Sequence, residues 1–181
     1  MIDDNTKKRL NINDDFIKIH NYSYLKKLNS GTKVKKNNLI LLNDLLSITK
    51  QNNIIIIILK NNKDEDNLIK EVIKVIKEKP NFNWYIASDS LSILDKLNNE
   101  NKNYKLGIYI KNNKDWDYSL DFYIVNKEES NNEKIKNKIY NSQKVFISNV
   151  NKKEDLITLR KEIDINDKNI FLISKNINLL K

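Results

Sequence analysis

The sequence predicts an α/β protein with about six parallel strands, and two observations support this. Six short apolar segments recur from about residue 53 onward, and four of the five intervals between them carry the apolar periodicity of a helix. Strands that alternate with helices form parallel βα units, because each helix returns the chain to the edge where the strand began. Periodicity alone leaves two architectures open, an open doubly wound sheet and part of a (β/α)8 barrel.

The first 40 residues are polar and precede this regular pattern. One short helix is predicted from Tyr22 to Asn29, with Asn21 or Ser23 as its N-cap and Gly31 as its stop. A second helix is predicted from Leu41 to Gln51. Its apolar side is formed by Leu42, Leu45, Leu46 and Thr49.

The predicted strands are the runs 53–60, 84–87, 106–110, 120–125, 145–147 and 170–173. The first run is continuously apolar from Ile54 to Leu59, which is typical of a strand buried on both faces. The predicted helices are 64–79, with Asp64 as cap and Pro80 as stop, then 90–97, 133–140 and 154–163. A polar loop around Trp116 fills the remaining interval. We interpret Asp89, after the second strand, as a helix N-cap.

Composition excludes several classes of protein. The only two glycines, Gly31 and Gly107, are far apart, which excludes a dinucleotide-binding fingerprint and a P-loop. There is no cysteine, and a single histidine, His20, excludes a His-rich metal site. The longest apolar run is too short to cross a bilayer, so we expect no transmembrane segment. The acidic, polar start is unlike a signal peptide, and we therefore expect a cytoplasmic protein.

The formal net charge of +9 raises nucleic acid and anionic lipid headgroups as partners. The basic clusters are short and scattered, however, and only Arg9 and Arg160 are arginines, the residue favoured for bidentate phosphate contacts. The abundance of Lys, Asn and Ile, whose codons are AT-rich, is typical of an AT-rich bacterial genome. We do not expect nucleic acid to be the main partner, and a basic binding module is kept as an alternative.

A series of local signatures occurs in a fixed order along almost the whole chain. The segments are 2–11, 24–31, 41–46, 56–60, 84–88, 106–108, 145–151 and 170–174. In this order they resemble the glycerophosphodiester phosphodiesterase family. The best match is the Tyr-x-x-Leu-Lys-Lys-Leu-x-x-Gly helix that begins at Tyr22, followed by a Leu-rich helix and a strand that ends in Lys60.

The resemblance implies a fold, a domain organisation and an activity. Members of this family are (β/α)8 barrels that hydrolyse glycerophosphodiesters in glycerophospholipid metabolism, with Mg or Ca and two histidines. By this resemblance the chain is an incomplete TIM-type (β/α) barrel of about six parallel strands that lacks the first two. Residues 1–40 correspond to a remnant of the family's insertion segment, and 41–181 to the partial barrel, within a single domain overall.

The resemblance also identifies what is missing from the family's site. Ile58 stands at the family's metal-binding Glu, Ile2 stands at a His, and Lys175 replaces the last Asp. We therefore expect no metal ligand, no catalytic residue and no cofactor, as in a pseudoenzyme. An active hydrolase completed by another polypeptide is an alternative. Lys60 is retained, and the resemblance implies that it contacts a substrate phosphate; a solvent-exposed lysine is the other interpretation.

An incomplete barrel has exposed strands at its two edges. The six strands can close on themselves, pair with another chain, or be covered by the N-terminal 40 residues. We expect a homo-oligomer or a partner chain at these edges, with the run ending at Lys60 as one of them. Trp116, between the third and fourth strands, is expected to fold onto the barrel mouth; an exposed, partner-binding aromatic is the alternative.

Overall fold

The computed structural model describes residues 8, 10, 12–13, 20–29, 37–60, 64–100, 103–129 and 132–180. The chain divides into two compact units, Met1–Lys50 and Gln51–Lys181. The first unit contains helices α1 (Tyr22–Leu25) and α2 (Leu42–Ser47), both shorter than predicted. The side chain of Asn21 caps α1 by accepting a hydrogen bond from the Tyr24 N–H at 3.0 Å. The predicted stop at Gly31 lies outside the described residues.

The second unit is a six-stranded, entirely parallel sheet. Its strands are β1 (Ile54–Leu59), β2 (Asn83–Ser88), β3 (Lys105–Tyr109), β4 (Phe122–Asn126), β5 (Lys144–Ser148) and β6 (Ile170–Leu172). Their spatial order is their order in the chain, which excludes a doubly wound sheet because that architecture reverses direction at a switch point. The sheet forms a half-barrel, which confirms the predicted α/β class and is consistent with an incomplete barrel.

Four α-helices and two short 3₁₀ helices connect the strands, and one of the 3₁₀ helices (Lys127–Glu129) directly follows β4. The α-helices are α3 (Glu65–Glu78), α4 (Leu91–Asn98), α5 (Asn132–Tyr140) and α6 (Lys153–Glu162), and the other 3₁₀ helix (Asn113–Asp117) joins β3 to β4. Connections between parallel strands are right-handed, and here each one leads to the next strand on the same side. All of the connecting helices therefore lie on one face of the sheet. In the part of the chain that the structure describes, no helix has the length and apolar character needed to span a bilayer.

The face of the sheet that meets the helices, here called the helix face, is identified by two side chains. Trp84 on β2 donates its indole N–H to the backbone carbonyl of Lys79 at the end of α3, at 2.8 Å. Tyr123 on β4 accepts a hydrogen bond at its hydroxyl from Lys138 on α5, at 2.9 Å. Alternation along each strand assigns the rest of this face, which is buried and mostly aliphatic. It includes Ile86, Leu106, Ile108, Val125, Val145 and Ile147.

Trp116 packs on the helix face, and both sequence interpretations of it were wrong. The residue is 2% exposed, and its ring stacks on Tyr123 with centroids 5.7 Å apart. The β3–β4 connection has only a 3₁₀ helix, so the large indole covers the area that an α-helix covers elsewhere. A buried aromatic stack is favourable because it removes a large apolar area from water.

The opposite face, here called the inner face, is packed by aromatic rings from neighbouring strands. Tyr85, Phe122 and Phe146 form a buried cluster with ring centroids 5.0–5.9 Å apart, and Phe171 stacks on Phe146 at 4.7 Å. Gly107 lies beneath the Phe122 ring, where a Cβ atom would stand 2.6 Å from ring carbons. The glycine therefore allows a ring from β4 to cover β3.

Strand β1 lies at one edge of the sheet and is less buried than predicted. Ile55 to Ile58 are only half-buried, Ile54 is exposed, and Leu59 alone is fully buried. The prediction of a strand buried on both faces was therefore wrong. A run of isoleucines carries the same pattern in a central strand and in an edge strand, because the pattern records hydrophobicity and not the number of neighbours.

Candidate functional site at the carboxyl edge

Parallel strands end at one common edge of a sheet, and in α/β folds ligand sites are built from the loops at this edge. A lysine follows four of the six strands within three residues of the strand's end: Lys60, Lys111, Lys127 and Lys175. Asp89 follows β2 and Asn149 follows β5. The loops at this edge therefore carry charged and polar side chains that could bind a ligand.

The two site residues inferred from the resemblance are both on β1 or directly after it. Ile58 pairs with Ala87 across the β1–β2 ladder and packs, half-buried, against the aromatic cluster of the inner face. Lys60 is exposed and follows the last residue of β1. The geometry thus places a hydrocarbon side chain on the inner face and a cationic one at the carboxyl edge, two residues apart. Ile2, the other substituted family position, lies outside the described residues.

Asp89 forms an ion pair and is not the N-cap that the sequence predicted. Its carboxylate lies 2.5 Å from the ammonium group of Lys111, and its side chain is 13% exposed. The N-cap position of α4 is occupied by Ser90. The prediction failed because β2 and β3 are neighbours, which brings Lys111 to the carboxylate, and a full opposite charge attracts it more strongly than a helix N-terminus does.

Lys127 and Asp155 form a second charged connection, between the loop after β4 and helix α6. The Lys127 ammonium lies 2.5 Å from one carboxylate oxygen of Asp155, and the backbone N–H groups of Asn151 and Lys152 donate to the other at 2.8 Å. The hydrogen bond from Lys127 and these two N–H groups lower the pKa of Asp155 to about 2. The hydrogen bond to Asp155 raises the pKa of Lys127.

The loop after β5 is held in a defined conformation and tied to the loop after β6. Asn149 has a positive φ of 66°, a left-handed conformation that asparagine tolerates better than most residues. The side-chain oxygen of Asn151 accepts a hydrogen bond from the Lys175 N–H at 2.8 Å. Ser148 donates its hydroxyl to the Val125 carbonyl on β4 at 3.1 Å. Sequence reasoning gave none of these contacts, although the polar residues Ser148, Asn149, Asn151 and Lys152 are visible at the end of an apolar strand.

The loops after β1 and β2 are connected through Glu65 in the first turn of α3. Its carboxylate accepts hydrogen bonds from Ser92 at 2.8 Å and from Ser90 and Lys96 at 3.3 Å. The hydrogen bond from Ser92, with those from Lys96 and Ser90, lowers the pKa of Glu65. This carboxylate is therefore already used to hold α3 against α4.

The carboxylates at this edge do not converge on one point. Asp89, Asp155 and Glu65 each bind a lysine or serine of their own, in different loops. Over the described ranges, no group of three or more His, Asp or Glu side chains is arranged to hold a metal ion. A divalent cation such as Mg²⁺ or Ca²⁺ requires several oxygen ligands in one shell, which Ile58 does not offer. The described residues at this edge therefore do not fit a divalent metal ion.

A second concavity is an open groove of about 1050 Å³ along the outer surfaces of α3 and α4. Its lining contains four basic and four acidic residues, namely Lys70, Lys74, Lys77 and Lys96, and Asp66, Glu71, Glu78 and Glu100. Because the groove is open and its charges are balanced, it has no preference for a charged ligand. The carboxyl edge is the better candidate site.

Comparison with known proteins provides no family assignment. No protein-family model matches the sequence, and no curated protein matches it significantly. The functional argument therefore rests on the residues and their geometry.

Proposed function

We propose that this chain is a glycerophosphodiester phosphodiesterase-like domain of TIM-barrel type that does not hydrolyse phosphodiesters by itself and binds a phosphate-bearing ligand at its carboxyl edge. The observation that carries the proposal is the position of Ile58. It is the penultimate residue of β1 and lies on the inner face, next to the carboxyl edge, where the resemblance expects a metal-binding carboxylate. A cytoplasmic location and a role in glycerophospholipid metabolism belong to the same proposal.

Loss of catalysis follows from the chemistry of the side chains. Hydrolysis of a phosphodiester requires stabilisation of the developing negative charge and a proton for the leaving alkoxide. Isoleucine provides neither, and the carboxylates of Asp89 and Asp155 are already paired with lysines. The consecutive order of parallel strands supports a barrel origin, because the strands of a (β/α)8 barrel follow one another around the axis in chain order.

Binding of phosphate is supported by the charge of the same edge. Lys60 follows β1, and Lys111 lies two strands away in the order of the sheet. A lysine ammonium binds phosphate as a point charge and needs no fixed geometry. The net charge of +9 favours anions at the surface in general. At this edge Lys111 and Lys127 are balanced by Asp89 and Asp155, so the positive charge there comes from Lys60 and Lys175.

The catalytic part is tested with the purified chain, glycerophosphocholine and either Mg²⁺ or Ca²⁺. We expect no more release of glycerol phosphate than in a control with substrate and metal but without protein. The reason is that the described carboxylates do not converge to bind the cation. Turnover by the isolated chain that disappears with a chelator would refute this part. Turnover that arises only after addition of a second polypeptide would favour the partner-completed hydrolase.

The binding part is tested by calorimetric titration of glycerol 3-phosphate into the wild type and the Lys60→Ala variant. We expect Lys60→Ala to weaken binding by roughly 5-fold, since a charge-assisted hydrogen bond contributes about 1 kcal/mol at an exposed site. The matched control is Lys74→Ala, which removes an exposed lysine of α3. Equal weakening by both variants would show that only overall charge matters.

A titration with an oligonucleotide at increasing salt tests the remaining alternative, a basic module for nucleic acid or anionic lipid headgroups. That module would lose affinity for an oligonucleotide steeply as salt is raised, in proportion to the number of phosphates contacted. The net charge of +9 is the observation that favours it. Tight, salt-sensitive oligonucleotide binding together with no glycerol phosphate binding would replace the proposed function.

A further inference from the structure

The outer edge of β1 combines three features that together favour pairing with another strand. Within the described ranges β1 pairs only with β2, so its second edge carries backbone N–H and C=O groups directed away from the sheet. All six residues of Ile54–Leu59 are aliphatic. The side chains of Ile55 to Ile58 are only half-buried although the strand is as long as any in the sheet.

Edge strands of single-chain proteins are usually protected from such pairing by a charge, a proline, a bulge, short length, or a helix or loop that covers the edge. None of the first four devices occurs between Ile54 and Leu59, where the backbone pairs in unbroken register with β2. At the other edge, β6 has only three residues, which is one of the protective devices. The two edges of the half-barrel thus differ, and only the β1 edge is long and aliphatic throughout.

We propose that the β1 edge is a homodimer interface, in which β1 of one copy pairs antiparallel with β1 of a second copy across a two-fold axis. An axis perpendicular to the sheet makes one residue at the centre of the strand face its own counterpart. That residue is Ile56 or Ile57, the two central positions of the strand. The dimer then contains a continuous sheet of two half-barrels, with both helix layers on the same side.

A second copy of this chain is compatible with the charges around the strand. With Ile57 on the axis, Lys60 faces Ile54 of the other copy; with Ile56 on the axis, it faces Asn52. In both registers the two copies of Lys60 lie at opposite ends of the interface. Wherever a residue of Ile54–Leu59 faces the same segment of the other copy, both residues are aliphatic, and such a cross-strand pair is stabilising.

The alternative pairing of β1 with β6 of another copy is less favourable. It would be parallel and would leave half of β1 without partners, because β6 has three residues and β1 has six. Antiparallel pairing of β1 with itself satisfies the backbone groups over nearly the whole strand. The lengths of the two edge strands therefore favour the two-fold arrangement.

The first test measures molecular mass by light scattering from roughly 10 µM to roughly 1 mM protein, because dimerisation depends on concentration by mass action. We expect a dimer, and we expect Ile54→Lys to raise its dissociation constant by about 10-fold or more, since the change occurs twice in the interface. Ile54 is 36% exposed, so lysine is tolerated in the monomer. The matched control, Ile157→Lys on α6, changes a residue that is 46% exposed and should not alter dimerisation.

The second test uses the absence of cysteine from the chain, which makes any introduced thiol unique. Directly opposed residues of antiparallel strands have Cα atoms about 4.5–5.5 Å apart, within the range of a disulfide. Under mild oxidation, Ile56→Cys or Ile57→Cys should therefore form a disulfide-linked dimer, one of them far faster than the other. Ile157→Cys is the control and should remain mostly monomeric on a denaturing gel.

Three results would overturn the proposal. The first is a monomer throughout the concentration range. The second is a dimer that Ile54→Lys and Ile157→Lys weaken equally. The third is a dimer in which neither central cysteine cross-links faster than the control, which would assign the interface to another surface. Circular dichroism of each variant checks that its fold is retained.

Discussion

The helix face and the inner face of the sheet are stabilised by different means. On the helix face, aliphatic side chains of the strands meet amphipathic helices, and polar contacts such as Lys127–Asp155 attach those helices to the strands. On the inner face, the rings of Tyr85, Phe122 and Phe146 contact one another directly. The stability of the helix face therefore depends on the loop contacts that hold the helices. The stability of the inner face depends on the register of neighbouring strands, which brings the rings together.

The largest expected effect comes from removing a ring at the centre of the inner face. Phe122→Ala should lower the free energy of unfolding by about 3–5 kcal/mol, because the ring is fully buried and leaves a cavity between β2 and β5. Val125→Ala, on the helix face of the same strand, should cost less because fewer buried atoms are removed. Urea denaturation measures both. A smaller loss for Phe122→Ala than for Val125→Ala would show that the inner face is loosely packed.

The next effect tests the close contact between two strands on the inner face. Gly107→Ala should destabilise by about 1–3 kcal/mol, since the added methyl would stand 2.6 Å from the Phe122 ring, which is itself enclosed by the cluster. In a Phe122→Leu background the same substitution should cost less, as expected for residues in contact. Equal costs in the two backgrounds, again from urea denaturation, would contradict this packing.

A smaller effect is expected for the attachment of α6 on the helix face. The pKa of Asp155, about 2 when folded, lies below its ordinary value of 3.8, so the carboxylate stabilises the fold above about pH 4. This contribution is lost as the pH falls from about 4 towards 2. Asp155→Asn should therefore make the decrease of melting temperature over this range shallower. Asp95→Asn, at an exposed position of α4, is the control and should leave the slope unchanged.

The smallest effect is a gain in stability at the turn between α5 and β5. Ser142 has a positive φ of 60°, and the N–H groups of Ser142 and Gln143 donate to the carbonyls of Ile139 and Lys138. This is a Schellman motif, in which glycine is preferred at the position of Ser142. Ser142→Gly should raise the free energy of unfolding by about 0.5–1 kcal/mol. Ser142→Ala is the control and should give no gain, because alanine has the same difficulty at positive φ.

Several residues show how far the sequence predicted the fold and the site. The helix that begins after Asp64 and ends before Pro80 was predicted closely, because caps, stops and apolar periodicity are local properties of the chain. The roles of Asp89 and Trp116 were predicted wrongly. Their partners, Lys111 and Tyr123, lie on elements that become neighbours only when β2, β3 and β4 pair. The role of Lys60 remains a prediction.

By itself, the sequence determined the parallel α/β class, the number of strands and the positions of most helices. These depend on hydrophobic periodicity and on local backbone preferences, which are properties of neighbouring residues. Only the tertiary structure decided the strand order, the inner-face role of Gly107 and the half-exposed edge of β1. Each of these depends on which distant segments pair and in which register, and an apolar run has the same pattern whether it gains one neighbour or two.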